Sequence, residues 1–288
     1  MSNRCPQLLM LTFVTATSLI TAGRAAGEPN PVVHFELDEH GGVIVPVTIG
    51  GAGPFRFLLD TGASGSSISE PLVGQIGAPL AAKTEVTTPG GHAMALVAAL
   101  REVKLGIMSS ETILAVMVPA NAIAAVGAGV VGILGQDFLG PHNYTLDYRH
   151  RTLMWDGDDV PSAAGSDALK LIPEGGQLLV ELPQTDAPTV RMVPDSGADT
   201  LVLFARPDTR LPISMAQGAM QLSGIVGTRT VTPGVVRELK VGSITLRSQQ
   251  AVAVKLDVDD PHMADGLLPL HHFASVSFRA SAYIVFRR

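Results

Sequence analysis

Residues 57–64 read Phe-Leu-Leu-Asp-Thr-Gly-Ala-Ser, an apolar run that ends in an aspartate and a turn. A related stretch, Arg-Met-Val-Pro-Asp-Ser-Gly-Ala-Asp, occupies residues 191–199 and places a second aspartate, Asp195, 135 residues after Asp60. In each stretch the apolar residues predict a buried strand, and the glycine two residues after the aspartate permits a tight turn. These two strand–turn units are the features that decide the fold.

Two further blocks repeat in the same order and at almost the same offset. Residues 101–106 read Arg-Glu-Val-Lys-Leu-Gly and recur as Arg-Glu-Leu-Lys-Val-Gly at residues 237–242. Residues 132–135 read Gly-Ile-Leu-Gly and recur as Gly-Leu-Leu-Pro at residues 266–269. Three blocks at a nearly constant offset indicate that the chain contains two copies of one structural unit.

The composition and the local patterns predict an all-β chain with few short helices. The 288 residues include 30 Gly and 20 Pro, and short β-branched runs lie between these turn-forming residues. Helices are expected only near residues 69–76 and 119–125. The predicted strands are residues 43–49, 55–59, 112–118, 178–182, 228–231 and 251–255.

The chain is expected to divide into a leader, two lobes and a linker. Residues 157–167 are polar and rich in turn-forming residues, as linkers between compact units are. They separate an N-terminal lobe, residues 27–156, from a C-terminal lobe, residues 168–288. The 46% hydrophobic content is enough to build a core in each lobe.

Residues 1–26 have the pattern of a signal peptide. Arg4 precedes an apolar run at residues 8–20, and small residues follow it. The run is shorter than the roughly 20 residues that a transmembrane helix needs. We therefore expect an exported protein, periplasmic or secreted, with no stable membrane span after signal removal. Cleavage would also remove Cys5, the only cysteine.

Charge and side-chain chemistry argue against several classes of partner. The formal net charge is −6, only 16% of residues are charged, and no basic block occurs, so a nucleic-acid partner is not expected. His271 and His272 are adjacent, so they would face opposite sides of a strand, and no cysteine or suitably spaced acidic residue accompanies them. We expect no metal and no cofactor.

The repeated strand–turn units resemble those of the pepsin and retropepsin clan of aspartic proteases, in particular single-chain bacterial members with two retropepsin-like lobes. The resemblance implies two pseudo-twofold-related, β-barrel-like lobes, with Asp60 and Asp195 as the catalytic pair at their interface. Two adjacent carboxyl groups can share one proton, so that one acts as a base on water while the other acts as an acid. The implied function is an aspartic endopeptidase that acts on an extended peptide or protein substrate. It would be a monomer, because one chain carries both halves.

The resemblance also assigns supporting residues to the two aspartate turns. Thr61 and Ser196 are expected to hydrogen-bond across to the opposite turn, and Gly62 and Gly197 to allow close backbone approach. Ser64 is expected to donate a hydrogen bond to the Asp60 carboxylate.

Further support is expected from the second strand of each repeat and from a flap. The strand is expected to pass beneath each aspartate turn, with Ile133 and Leu134 in the first lobe and Leu267 and Leu268 in the second. The flap is expected at residues 84–96, with Pro89, Gly90 and Gly91 at its hinge or tip and His92 as its only aromatic side chain. A similar loop spans residues 222–232.

Two positions depart from the family pattern and leave an alternative function open. Pro194 stands directly before Asp195, where an apolar strand residue is usual, and Pro269 replaces the last glycine of the Gly-apolar-apolar-Gly block. Proline has no N–H group and restricts the backbone, so the second turn could differ from the first. The alternative is a non-catalytic peptide-binding protein of the cell envelope with a degenerate protease fold. A purely structural pair of β units is a third hypothesis.

Overall fold

The computed structural model describes residues 31–88, 91–157, 168–185, 187–205, 213–224, 227–256, 264–279 and 282–288. The predicted signal peptide and all but the first residue of the predicted linker lie outside these ranges, so the leader and the domain boundaries remain predictions.

Strands make up most of both halves of the chain. The N-terminal half contains β1 Val32–His34, β2 Glu36–Leu37, β3 Val43–Ile49, β4 Ala52–Leu59, β5 Ser67–Ser69, β6 Leu80–Thr88, β7 Gly91–Leu105, β8 Met108–Val118, β9 Gly132–Leu134, β10 Tyr144–Asp147 and β11 Thr152–Trp155. The C-terminal half contains β12 Ala168–Glu174, β13 Gln177–Leu182, β14 Val190–Asp195, β15 Leu201–Ala205, β16 Ile213–Met215, β17 Met220–Gly224, β18 Gly227–Val241, β19 Ile244–Lys255, β20 Gly266–Pro269, β21 Ser275–Arg279 and β22 Tyr283–Arg287.

The helices are short in the described part of the chain. They are α1 Glu70–Ile76, α2 Ala120–Ala124, α3 Gln136–Leu139 and one 3₁₀ turn at Leu270–His272. The prediction of an all-β chain with few short helices is confirmed. None of the helices in the described ranges is long and apolar enough to cross a membrane.

The two halves pair their strands in the same way. The strand that leads to each aspartate runs parallel to the Gly-apolar-apolar strand, β4 with β9 and β14 with β20. The next strand of each half, β5 or β15, runs parallel to the second arm of a long hairpin, β8 or β19. The internal repeat of the sequence is therefore a repeat of strand pairing.

A shared sheet joins the two halves. Its order is β1-β11-β10-β21-β22-β12, so three strands come from each half, and β10 and β21 pair antiparallel across the junction. Tyr144 stacks on Phe278 with ring centroids 4.8 Å apart, and the hydroxyls of Thr145 and Ser277 lie 2.8 Å apart. The junction is thus both apolar and hydrogen-bonded, as in the interior of a single sheet.

Both expected flap regions are hairpins. Strands β6 and β7 pair from Leu80 to Thr88, and the backbones of Gly91 and His92 pair with Thr88 and Thr87. Pro89, Gly90 and the side chain of His92 lie outside what the structure describes. In the second half β17 and β18 form the corresponding hairpin over residues 220–231.

Gly266 is a position where the sheet tolerates no side chain, because β20 lies between β14 and β15. A Cβ there would lie 2.1 Å from the carbonyl oxygen of Val202, a backbone atom that cannot move aside. We expect Gly266→Ala to lower the free energy of unfolding by about 3 kcal/mol. Urea denaturation followed by the fluorescence of buried Trp155, the only tryptophan, measures the change.

The matched control is Gly74→Ala in the exposed part of α1, where a Cβ would meet nothing within 4 Å. Alanine favours helix by up to about 1 kcal/mol over glycine, so this variant should be as stable as the wild type or more stable. Equal destabilisation by both substitutions would contradict the packing described for β20.

Candidate active site

The two aspartate loops have the same local geometry. Asp60 follows β4 and Asp195 ends β14, each at the carboxyl end of a strand whose last residues are buried. The N–H groups two and three residues later donate to Oδ1 of each aspartate, at 2.9 and 3.0 Å for Asp60 and at 2.8 and 2.9 Å for Asp195. Each turn therefore orients its own carboxyl group through the backbone.

The two carboxyl groups meet across the loops. They are in hydrogen-bonding contact, and each lies against the glycine of the opposite turn. A Cβ at Gly62 would be 2.5 Å from Cγ of Asp195, and a Cβ at Gly197 would be 2.9 Å from Cγ of Asp60. Any larger residue at either glycine would push the opposing carboxyl group out of place.

Two hydroxyl groups join the loops crosswise. Thr61 Oγ1 donates to the carbonyl oxygen of Pro194 at 2.8 Å and accepts from the N–H of Ser196 at 3.1 Å. Ser196 Oγ donates to the carbonyl oxygen of Leu59 at 2.6 Å and accepts from the N–H of Thr61 at 3.0 Å. Both hydroxyls are buried and use a donor and an acceptor, so each loop satisfies polar groups of the other.

Pro194 does not interrupt this arrangement. It lies within β14 in register with Leu268, and the crosswise bond uses its carbonyl oxygen. The crosswise bonds do not use the N–H group of the residue before either aspartate. In the first loop, too, the residue at this position, Leu59, contributes only its carbonyl oxygen to them. A proline at position 194 is therefore compatible with a site in which the two aspartate loops are paired.

The predicted supporting strands lie directly beside the aspartate strands. Leu134 pairs with Leu59 in β9, and its carbonyl oxygen accepts the N–H of Asp60 at 3.0 Å. In β20 Leu268 is fully buried, whereas its neighbour Leu267 is half-buried. Ile133 is buried in a separate apolar cluster of the first half.

Burial and mutual repulsion set the protonation of the pair. Burial raises the pKa of Asp60 above its ordinary value, although N–H donors and the Asp195 side chain limit the rise. Burial, followed by the charge of Asp60, raises the pKa of Asp195 well above its ordinary value. The two groups titrate together, so the pair retains one proton over a range in which isolated aspartates are ionised.

The expected role of Ser64 is wrong. Its side chain is exposed and makes no hydrogen bond to Asp60 in the described structure, because the turn directs it towards Gly176 at the start of the second half. A Cβ on Gly176 would be 2.9 Å from Cβ of Ser64. The backbone N–H groups supply the hydrogen bonds that were expected from this serine.

The serine that supports the first loop is Ser66. Its Oγ donates to Asp137 at 2.7 Å and accepts from the N–H of Gly135 at 3.1 Å, and its own N–H donates to Asp137 at 3.0 Å. Gly135 packs against the backbone of Gly65, which explains why glycine ends the first Gly-Ile-Leu-Gly block. Sequence reasoning missed Ser66 and Asp137, although both adjoin the repeated motifs.

Two glutamines also reach the first loop and were missed. Gln136 follows Gly135, and Gln177 begins β13 in the second half. Their side-chain amides donate to the carbonyl oxygens of Thr61 and Gly62, each at 2.7 Å. No charge or unusual spacing marks them in the sequence.

The second loop has different neighbours. His271 occupies the position in the second half that corresponds to Asp137 in the first half. Its ring approaches the carbonyl oxygen of Ala198. Burial lowers the pKa of His271, and the charge of exposed Asp199 partly offsets this effect. The charge of Asp199 therefore acts on the histidine.

The aspartyl protease family model matches residues 45–138 and 184–270, one segment in each half and more than half of the chain. The chain belongs to the aspartyl protease family. Each matched segment contains one Asp-Thr/Ser-Gly turn, its aspartate strand and the Gly-apolar-apolar strand. No curated protein matches the sequence.

Among solved structures, this aspartyl protease chain is similar to a retropepsin-like aspartic protease from Rickettsia conorii. The identity is 16% and the TM-score is 0.33, over 44% of this chain and 90% of the other. The resemblance to aspartic proteases expected from the sequence is confirmed by the family match.

The raised pKa of Asp195 makes a testable prediction about stability. Between the pKa of an unfolded aspartate and the raised folded value, the folded state holds a proton that the unfolded state releases, so stability falls as pH rises through this window. An asparagine at this position would not titrate. We therefore expect Asp195→Asn to raise the free energy of unfolding near pH 7 by at least about 1 kcal/mol, with the gain shrinking towards pH 4.

Urea denaturation at a series of pH values measures this difference. Asp199→Asn is the matched control, because its side chain is exposed and lies outside the pair. An Asp195→Asn variant that is less stable than wild type at neutral pH, or a gain that does not depend on pH, would contradict the protonation described here.

Proposed function

We propose that this member of the aspartyl protease family is an active endopeptidase that uses Asp60 and Asp195 as its catalytic pair. The observation that carries the proposal is the contact between the two carboxyl groups, each lying over the glycine of the opposite loop. A merely structural aspartate turn would not require two carboxyl groups in contact, one buried and one half-buried, since that arrangement is costly when both are ionised.

The arrangement supports hydrolysis by an activated water molecule. In the singly protonated pair, the ionised carboxylate accepts a proton from water as the water oxygen bonds to the peptide carbonyl carbon. The protonated partner donates its proton to the carbonyl oxygen, giving a neutral tetrahedral diol. The carboxyl group that took the proton from water then donates it to the amide nitrogen, while the other carboxylate takes a proton from a diol hydroxyl. The C–N bond breaks, which releases an amine and a carboxylic acid and restores the singly protonated pair. No covalent intermediate and no metal is required.

The substrate we propose is an extended peptide segment. The hairpins β6–β7 and β17–β18 come from opposite halves, and strands β7 and β18 approach each other locally. Hairpin edges recognise extended chains through main-chain hydrogen bonds, which suits a protease that accepts several sequences. Because both aspartates belong to one chain, we propose that a monomer is sufficient.

We further propose that the enzyme acts outside the cytoplasm, in the periplasm or after secretion. The support for this location is the leader-like pattern of residues 1–26.

The test is cleavage of a denatured protein by the chain from Glu28 onward, measured from roughly pH 3 to 8. Wild type should cleave in the acidic range and lose activity as rising pH ionises the second carboxyl group. Asp60→Asn and Asp195→Asn should each reduce kcat/KM by at least about a hundredfold, because each removes one of the two proton-transfer roles. Asp199→Asn should keep wild-type activity.

Circular dichroism and urea denaturation establish that the variants fold. Absence of cleavage by folded wild type at every pH would overturn the proposal and favour the non-catalytic peptide-binding protein. Cleavage that survives both asparagine substitutions would show that another protein or another site is responsible.

A further inference from the structure

The first aspartate loop is held by two side-chain amides, one from each half of the molecule. Gln136 Nε2 in α3 donates to the carbonyl oxygen of Thr61, and Gln177 Nε2 at the start of β13 donates to that of Gly62, both at 2.7 Å. Gln136 is 8% exposed, and Gln177 is half-buried. Neither contact touches the carboxyl group itself.

The two carbonyl groups belong to the peptide units that bind Asp60. The Thr61 carbonyl shares a peptide unit with the N–H of Gly62, and the Gly62 carbonyl shares one with the N–H of Ala63. These two N–H groups donate to Asp60 Oδ1 at 2.9 and 3.0 Å. A hydrogen bond accepted by a carbonyl polarises its peptide unit and strengthens the bond that the N–H donates. Both glutamines therefore strengthen the hydrogen bonds that favour an ionised Asp60.

The second loop lacks this support. Its two N–H groups bind Asp195 in the same way, at 2.8 and 2.9 Å. Across the part of the chain that the structure describes, no side-chain amide donates to the carbonyl oxygens of Ser196 or Gly197. The N–H groups that bind the two carboxyl groups are therefore arranged alike. The difference lies in the carbonyl oxygens of the same peptide units, which accept side-chain hydrogen bonds only in the first loop.

The internal repeat explains the difference. The offset of 134 residues that relates Gly132 to Gly266 places Leu270 at the position of Gln136. The offset of 135 residues that relates the two aspartates places Gly42 at the position of Gln177. Both positions that would serve the second loop therefore carry residues without a side-chain donor.

We propose that Gln136 and Gln177 are positioning residues that keep the negative charge of the pair on Asp60 and the shared proton on Asp195. Asp60 is then the base that activates water, and Asp195 is the acid that protonates the carbonyl oxygen. The charge assignment stands on the hydrogen bonds, and only the catalytic roles rest on the proposed function.

Burial acts in the same direction as the glutamines. Asp195 is 6% exposed, whereas Asp60 is half-buried. Ionisation is less favourable for the more buried carboxyl group, because water solvates its charge less well. A proton shared between the two therefore favours Asp195 on both grounds.

Other titratable groups lie around the two loops. Asp137 stands behind the first loop, bound to Ser66, and burial raises its pKa. His271 with nearby Asp199 stands beside the second loop, and burial lowers the pKa of the histidine. Burial and the charge of Asp195 raise the pKa of Tyr148, so it is a neutral phenol in the acidic range. The glutamine variants below do not substitute any of these groups. The Gln136 side chain also lies near the hydroxyl of Tyr144, whose pKa is raised by burial, so this phenol is neutral over the whole pH range of the test.

The test replaces each glutamine by the residue at its repeat-related position, Gln136→Leu and Gln177→Gly, singly and together. Gln184→Leu is the matched control, because the Gln184 amide also donates to main-chain carbonyls, those of Leu182 and Lys240, which do not belong to the aspartate loops. The pH dependence of kcat/KM is measured for each variant. If the protein unfolds when Gln136 is replaced, Gln177→Ala is measured alone. Gln177 is partly exposed at the start of β13, so we expect this variant to fold.

Loss of the glutamines weakens the hydrogen bonds that stabilise ionised Asp60, so the first ionisation of the pair becomes less favourable. The second ionisation, that of Asp195, is unchanged. We expect the acidic limb of the profile to move upward by about half a pH unit in the double variant, which is about a threefold loss of kcat/KM below the limb. The alkaline limb should stay in place, and Gln184→Leu should not move either limb. A uniform loss of activity with both limbs unmoved would overturn the proposal, since that is the result of a purely structural role.

Carboxyl ¹³C NMR of the full chain provides a readout that does not depend on activity. Asp60→Asn and Asp195→Asn assign the two resonances. As pH rises, Asp60 should ionise before Asp195 in wild type, and the double glutamine variant should narrow the separation. Ionisation of Asp195 first would overturn the inference. An inactive wild type with the expected titration would instead overturn the proposed function alone.

Discussion

Each aspartate of the site is positioned by the glycine of the other loop, and this reciprocal contact is the constraint on which the rest of the structure depends. A Cβ at Gly62 or Gly197 would enter the space of the opposing carboxyl group. Both loops must therefore approach closely and in register. The crosswise hydroxyls of Thr61 and Ser196 and the shared sheet between the halves hold them there. Buried like charges are costly to bring together, so the surrounding contacts must offset that cost.

A duplicated unit can keep its backbone geometry while its side chains diverge. The crosswise bonds need only a carbonyl oxygen from the residue before each aspartate, so Leu59 and Pro194 are interchangeable in this role. The requirement for close packing is weaker behind the loops. There, Asp137 in the first half and His271 in the second occupy equivalent positions of the repeat. The divergence makes the two halves of a nearly symmetric site chemically unequal. Unequal carboxyl groups suit a reaction that needs one acid and one base.

Much of the fold could be predicted from local sequence pattern. The run of residues 43–49 was predicted as a strand with the bounds that β3 has, and the short helix expected at residues 69–76 is α1 at Glu70–Ile76. The site was less accessible to sequence reasoning. Ser64 was expected to bind the Asp60 carboxylate, but the turn directs its side chain outwards and leaves Ser66 to face the core.

The sequence by itself determined the repeated strand–turn unit, the all-β class and the pair of aspartates, because apolar runs and glycine turns act over a few residues. Only the tertiary structure decided which groups reach those aspartates. Gln136 lies 75 residues beyond the carbonyl that it binds, and Gln177 lies 115 residues beyond its own. Such contacts depend on how the sheets are stacked and on how the two halves meet. Neither distance along the chain nor residue type reveals that geometry, because a glutamine amide has no preferred local partner.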